Sequence, residues 1–214
     1  MSKIVRHILI VAGLLGTAFA VMEIMAVRRM EPDDIDDGNP YEINDTMPSS
    51  KYERYLKPAI GKILSFFALV ALSPLFAVIT VAIKIDDPGP VFFTQTRVGK
   101  DGHFFALHKF RSMKMSTPSE VPTHELKDPD QYITRVGHFL RKTSLDEIPQ
   151  FWDAFRGRIA IVSPRPALWN QADLVEERQK NGSISIKPGI TGAGRIIGTT
   201  ATKPENKAFL ALCA

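Results

Sequence analysis

The sequence predicts an α+β fold in which a re-entrant, helix-break-helix membrane segment joins a small helical domain carrying a β-hairpin, with an N-terminal apolar helix preceding both. Three observations point there. An uncharged run from Ile63 to Ile83 has Ser73-Pro74 at its middle. Two short aromatic-rich segments flank Gly99-Lys100-Asp101-Gly102, and helical patterning takes over from Tyr132. The expected organisation is an anchor helix over 1–30, an acidic linker over 31–50, the re-entrant helix over 51–85, and a cytoplasmic domain over 86–214.

The first apolar run extends from Ile8 to Met22 and, after Glu23, from Ile24 to Val27, about enough to cross a bilayer with Glu23 near one interface. A cleaved signal peptide competes with the anchor. Lys3 and Arg6 make a basic start, and Ala18-Phe19-Ala20 resembles a small-residue cleavage site. Residues 31 to 50 carry seven acidic side chains and no Lys or Arg, with Pro32, Gly38, Pro40 and Pro48 among them, so this stretch reads as a solvated spacer.

In the second run, Pro74 removes a backbone donor and crowds the preceding turn, while Ser73 is placed to bond back to a carbonyl one turn earlier. Both effects bend a helix. A spanning helix with a proline kink fits the apolar length equally well. Flanking charge separates the two: Lys51, Arg54, Lys57 and Lys62 precede the run and Lys84 follows it, so the preference for cytoplasmic Lys and Arg places both ends on one side.

Composition limits the chemistry. The single cysteine, Cys213, excludes a disulfide framework and a thiolate zinc cluster, leaving oxygen or imidazole ligands for any metal. The formal charge of +4 hides a split, because from residue 51 onward there are 23 Lys and Arg against 15 Asp and Glu. Such an excess suits anionic headgroups, phosphorylated ligands or nucleic acid.

After Asp86-Asp87-Pro88-Gly89-Pro90 closes the apolar segment, Val91–Thr96 and His103–Lys109 are expected to pair as the hairpin. Phe92, Phe93, Phe104, Phe105 and Phe110 recur at strand spacing, which fits core or interface packing. No recognisable module surrounds them, so a nucleic-acid partner is not expected. Lys109-Phe110-Arg111 sets two cations at the strand end, and the proline-rich Ser116–Pro129 reads as a loop over the domain.

Thr143-Ser144-Leu145-Asp146-Glu147-Ile148-Pro149 is the most informative stretch. It supports two compatible readings. Ser144 and Glu147 match an S-x-x-E capping box with Asp146 in the first turn of a helix. Alternatively, Asp146 beside Arg141 and Lys142 is held ionised, as an attacking nucleophile or hard-metal ligand must be. Neighbouring carboxylates on a helix point in different directions, so Asp146 and Glu147 are expected to have distinct roles.

Ile159–Val162 reads as a short strand leading into Ser163-Pro164-Arg165-Pro166, where two prolines stiffen the backbone around Arg165, suiting either phosphate binding or a structural ion pair. Ala167–Lys180 reads as an amphipathic helix stopped by Asn181-Gly182. In Lys187-Pro188-Gly189-Ile190-Thr191-Gly192-Ala193-Gly194-Arg195 the glycines permit tight turns with amides facing an anion, but the segment lacks the lysine-serine ending of a P-loop.

Taken together, Ser73-Pro74, Phe93-Thr94-Gln95-Thr96-Arg97, Lys109-Phe110-Arg111-Ser112-Met113, Ser144-Leu145-Asp146-Glu147, Pro164-Arg165-Pro166 and Pro188-Gly189-Ile190-Thr191-Gly192 resemble the bacterial sugar transferase family, the monotopic polyprenyl-phosphate phosphoglycosyl transferases. The resemblance runs from about Pro58 to Gly198. It implies a Mg²⁺-dependent enzyme of the bacterial inner membrane that moves a sugar phosphate from a UDP-sugar to polyprenol (undecaprenyl) phosphate, the first membrane step of glycan assembly. Asp146 is implied as the nucleophile that forms a covalent phosphosugar intermediate. Glu147 is implied as metal ligand or helper, with Asp146 also near the metal. Lys109, Arg141, Arg165, Thr191 and Arg195 are the substrate-binding candidates.

The sequence departs from the family pattern at three places. Ser163 stands where a glycine usually precedes Pro-Arg-Pro, Ala193-Gly194-Arg195 replaces a tryptophan-containing continuation, and the domain is expected to be short after Gly198. A catalytically weak membrane scaffold in glycan assembly is the rival expectation.

Overall fold

The computed structural model describes residues 50–117 and 128–192. The expected N-terminal anchor, the acidic linker, most of the Ser116–Pro129 loop and Arg195 lie outside the described residues. Those described are helices and strands together, as an α+β fold requires, and they gather into two compact units.

Helix α1 runs from Lys57 to Asp86, preceded by a π-helical turn over Tyr52–Leu56. It is the one described helix long and apolar enough to cross a membrane. Ser73-Pro74, where the sequence leads one to expect a sharp bend, lies inside one helical run. The local chemistry there is the expected one. Pro74 has no N–H for the Val70 carbonyl four residues back, and Ser73 Oγ donates to that same carbonyl at 2.8 Å.

One face of α1 is buried, with Phe76, Ile79 and Ile83 beside Ser65, Ser73 and Thr80, yet Ile63, Leu64, Phe66, Phe67, Val70, Val78 and Val81 are exposed, Phe67 to 63% and Val78 to 65%. Burying one such side chain contributes roughly 1.5–3 kcal/mol. Leaving seven of them largely in water would forfeit a sum comparable to the whole stability of a domain, about 5–15 kcal/mol. An apolar surrounding removes that difficulty.

In one unit, spanning Val70–Phe93 and His108–Pro149, the core is aromatic. Phe110 stacks on Phe92 at 5.4 Å between centroids and meets Phe76 at 5.1 Å. Helix α2, Arg135–Thr143, opens with Thr134, whose hydroxyl accepts from the Gly137 amide. It begins later than the helical pattern from Tyr132 suggests, because Pro129–Tyr132 forms a separate 3-10 turn.

The hairpin forms as expected, with β1 over Phe92–Val98 and β2 over Phe104–Phe110. Asp101 and Gly102 adopt positive φ in its turn. In the other unit, containing Thr94–Leu107 and Gln150–Gly192, helix α3 covers Gln150–Phe155 and strand β3 covers Ala160–Val162. The expected helix from Ala167 starts only at Ala172. Ala167-Leu168 is strand β4, antiparallel to β1 through Arg97 opposite Leu168, and α4 covers Ala172–Lys180. The sheet order is β2-β1-β4. Val98, Ala167, Val175 and Ile184 form one small core there, and Leu107, Ala154 and Ile159 another.

Strand β5, Gly189–Thr191, runs parallel to β3, with Ala160 opposite Gly189 and Val162 opposite Thr191. This corrects the anion-turn reading of the glycines. The Gly189 amide donates to the Pro164 carbonyl at 2.8 Å, and a Cβ at Gly189 would lie 2.5 Å from Ser163 N. These glycines let two backbones touch. Ser163 is itself engaged: its buried hydroxyl donates to the Lys187 carbonyl.

Candidate active site

The site begins where α2 ends. Ser144 takes positive φ, 58°, as the helix's closing residue, and its N–H points back to the Arg141 and Leu140 carbonyls. A serine in this region costs free energy that glycine would not, and such residues concentrate where geometry is held for a purpose. The turn reverses the chain into a three-residue 3-10 turn, Leu145–Glu147. The capping-box expectation fails here. Ser144 terminates the preceding helix, and its side chain makes no capping bond to the turn.

The reversal brings the carboxylate pair to the end of β2. Lys109 Nζ lies 3.5 Å from Glu147 Oε1, both side chains largely buried at 19% and 12% exposure. Asp146 lies within the fields of Lys109, Glu147 and Arg141. Burial is the strongest influence and raises its carboxyl above the ordinary value; the Lys109 and Arg141 charges pull it back, and Glu147 adds to the rise. The neighbouring cations pull Asp146 toward ionisation as expected, but desolvation outweighs them in the net direction. Arg141 is lowered by its own burial, partly offset by Asp146 and Asp130.

Since Lys109 opposes burial most strongly, Lys109→Met is expected to move the Asp146 pKa still higher and Lys109→Arg to leave it near its starting value. Carboxyl-carbon NMR titration of Asp146 checks this; a fall in the Met variant would contradict the assigned geometry.

Two bracing features of this unit escaped sequence reasoning. Asp87 Oδ2 pairs with buried Arg111 at 3.1 Å and accepts from the Met115 amide at 2.9 Å. Arg111 also donates to the Asp87 carbonyl. Asp86 Oδ2 accepts from the Val136 amide in the first turn of α2 at 2.8 Å. What the sequence offers as a mere end to the apolar run thus ties α1 to the elements carrying Lys109 and Arg141. The second is Ser112, whose Oγ accepts from Arg141 Nε at 2.8 Å and fixes that guanidinium. The signal available was its place in Lys109-Phe110-Arg111-Ser112.

Lys109, Arg141, Asp146 and Glu147 are therefore together in one unit. Arg165 and Thr191 belong to the other. There the Pro164-Arg165-Pro166 backbone is gripped by two guanidinium groups. Arg178 donates to the Arg165 carbonyl at 2.6 Å and Arg97 to the Pro166 carbonyl at 3.2 Å, while the Arg165 side chain is exposed. Burial pulls Arg178 down to about 10, which leaves it charged at neutral pH. Thr191 lies on β5, where its carbonyl accepts from the Ser163 amide.

The described residues hold no cluster of three or more His, Cys, Asp or Glu able to cage a metal. Two adjacent carboxylates still match the chemistry of Mg²⁺, which commonly takes one or two carboxylates and completes its shell with water and substrate phosphates.

The fold combines an exposed apolar helix with a carboxylate pair among partly buried cations. The chain belongs to the bacterial sugar transferase family, whose pattern it matches over residues 52–212. It is 40% identical over 153 residues to the UDP-glucose:undecaprenyl-phosphate glucose-1-phosphate transferase of Escherichia coli (strain K12), covering 71% of this chain and 33% of that protein. It is 31% identical over 161 residues to the UDP-N-acetylgalactosamine-undecaprenyl-phosphate N-acetylgalactosaminephosphotransferase of Aeromonas hydrophila, covering 73% and 37%. Against the exopolysaccharide production protein ExoY of Sinorhizobium fredii the identity is 34% over 157 residues, covering 66% and 69%. The chain spans about a third of the length of the first of these relatives.

Proposed function

We propose that the chain is a phosphoglycosyl transferase that moves a sugar phosphate from a UDP-sugar to polyprenol phosphate, with Asp146 as nucleophile. The observation that carries this is the enclosure of Asp146 and Glu147 by Lys109 and Arg141. An Asp146 carboxylate oxygen bonds to the sugar-bearing phosphorus as the bond to UMP breaks, and UMP leaves with the electron pair. A phosphate oxygen of the polyprenol phosphate then attacks the same phosphorus, the bond to Asp146 breaks, and the carboxylate is restored. Burial makes Asp146 more basic and hence a stronger nucleophile once ionised.

Two anions approaching each other need fixed positive charge between them. Lys109 and Arg141 supply it, Arg141 held in place by Ser112. Arg165, Thr191 and Arg195 are proposed to bind the donor or acceptor. Asp146 and Glu147 would hold Mg²⁺, which when bound neutralises charge on the diphosphate. The test is UMP release from a panel of UDP-sugars by the full-length protein with Mg²⁺ and polyprenol phosphate in detergent. Release from none of them would leave the scaffold reading.

We further propose that α1 enters and leaves the membrane on the cytoplasmic side of the bacterial inner membrane. Lys57 and Lys62 before the apolar run and Lys84 after it, with Pro74 inside, support this reading. Single cysteines at Lys57 and Lys84, in a chain with Cys213→Ser, are expected to react with an impermeant thiol reagent from the same face. Labelling from opposite faces would establish a spanning helix instead.

A further inference from the structure

In the unit containing α3, two lysines meet at one turn. Arg156-Gly157-Arg158 follows α3, with Gly157 at φ 79°. Lys187 Nζ, half-buried, donates to the Gly157 carbonyl at 2.7 Å. Lys62 comes from α1 to the same residue: a Cβ at Gly157 would lie 3.2 Å from Lys62 Cε and 3.7 Å from its Nζ. Burial lowers Lys187, and the charges of Lys62 and Lys100 lower it further. Lys100 is itself paired with Asp101 at 3.2 Å. Like charges gathered beside a partly buried ammonium cost free energy that an anion between them would recover.

The surroundings name the anion's source. Phe66 lies one helical turn after Lys62 on α1. It meets Phe155 at 6.2 Å and Phe67 at 5.6 Å, and Trp152 meets Phe155 at 6.0 Å. Phe66 is 49% exposed, Phe67 63% and Phe155 38%. Trp152 is of the type that favours the membrane–water interface, the exposed phenylalanines beside it suit the apolar side, and lysines next to them can reach headgroup depth.

We propose that Lys62 and Lys187, which meet at the Arg156-Gly157-Arg158 turn, form with the charge of Lys100 a binding site for the phosphate of an anionic phospholipid headgroup. The site rests on the membrane association proposed above. The two ammonium groups at Gly157 take the phosphodiester oxygens, and the aromatic group below them receives the start of the acyl chains.

The full chain in neutral detergent, mixed separately with phosphatidylglycerol, phosphatidylcholine or sodium phosphate at matched ionic strength, gives the test. Native mass spectrometry and the thermal midpoint are the readouts. Phosphatidylglycerol should be retained and should raise the midpoint, and phosphatidylcholine should do neither. Lys62→Gln, which removes no hydrogen bond or ion pair among the described residues, should weaken retention roughly fivefold, the effect of one lysine near an anionic surface. Lys187→Gln should weaken it at least as much. Equal retention of both lipids, or unchanged retention in Lys62→Gln, would overturn the site. Displacement of the lipid by an equal concentration of sodium phosphate would overturn the lipid assignment. A wild-type chain that stays soluble without detergent would instead refute membrane association, a separate outcome.

Discussion

Asp146→Asn is expected to abolish UMP release, by roughly 10³-fold or more, while leaving the fold intact and somewhat more stable at neutral pH. The two halves have one cause. The amide preserves shape but cannot bond to phosphorus and leave again as a carboxylate. The carboxyl's raised pKa means the folded state binds that proton more tightly than the unfolded chain does. Its contribution to stability is therefore fully present below the unfolded value and is lost as pH rises through the folded one. The ionised form is the one that burial disfavours, and a neutral asparagine escapes that cost. Single-turnover UMP release and thermal unfolding, measured on the same preparation from acid to neutral pH, check both. Release unaffected by the substitution would end the nucleophile assignment. A variant that unfolds more readily than wild type at neutral pH would show that the burial argument has the wrong sign.

Glu147→Gln separates the partners. Glu147 is in ion-pair range of Lys109, so its neutralisation removes one carboxylate that shares that ammonium with Asp146. Some activity should survive in Glu147→Gln where none survives in Asp146→Asn, as expected of residues with different roles.

What the sequence made legible, and what it hid, follows the range of the interactions involved. The hairpin was readable because Gly99-Lys100-Asp101-Gly102 is a local signal, and Gly99 N bonds His103 O within that same turn. Ser73 returning a hydrogen bond to Val70 was readable for the same reason. The Asp86-Asp87 bracing was not, since Asp86 finds its partner 50 residues away and the Asp87 carbonyl finds its own 24 away. The start of α4 was misplaced because Ala167-Leu168 is drawn into pairing with Arg97-Val98, a tertiary demand that overrides helical patterning. Ser144 matched a capping pattern by composition alone; what decides its role is the left-handed backbone that closes the previous helix. Asp146 and Glu147 could be picked out, yet the direction of the Asp146 shift could not. It depends on how much water the fold removes, which no local motif records.

The largest expected structural effect is at Gly137. A Cβ there would stand 2.0 Å from the Ser112 carbonyl oxygen and 2.8 Å from the Thr134 hydroxyl oxygen. Neither can yield cheaply. The Ser112 carbonyl accepts the Thr134 amide at 3.1 Å, and the Thr134 hydroxyl holds the Gly137 amide at 2.9 Å. Gly137→Ala must therefore push α2 away from the strand end, at a cost of about 3 kcal/mol or more. For a chain of this size that lowers Tm by roughly 6–12 °C. Arg141 rides on the same helix and reaches Ser112 with its side chain, so the shift also unseats the cation beside Asp146. UMP release should fall even below the unfolding transition. Gly61→Ala is the matched control. It lies within α1 with nothing inside 4 Å of the added carbon, so the same methyl should stabilise by about 0.5–1 kcal/mol through helix propensity alone. If Gly137→Ala proved as harmless as Gly61→Ala in thermal unfolding and UMP release, the close approach of α2 to Ser112 would not exist, and with it would go the account of how Arg141 is aimed.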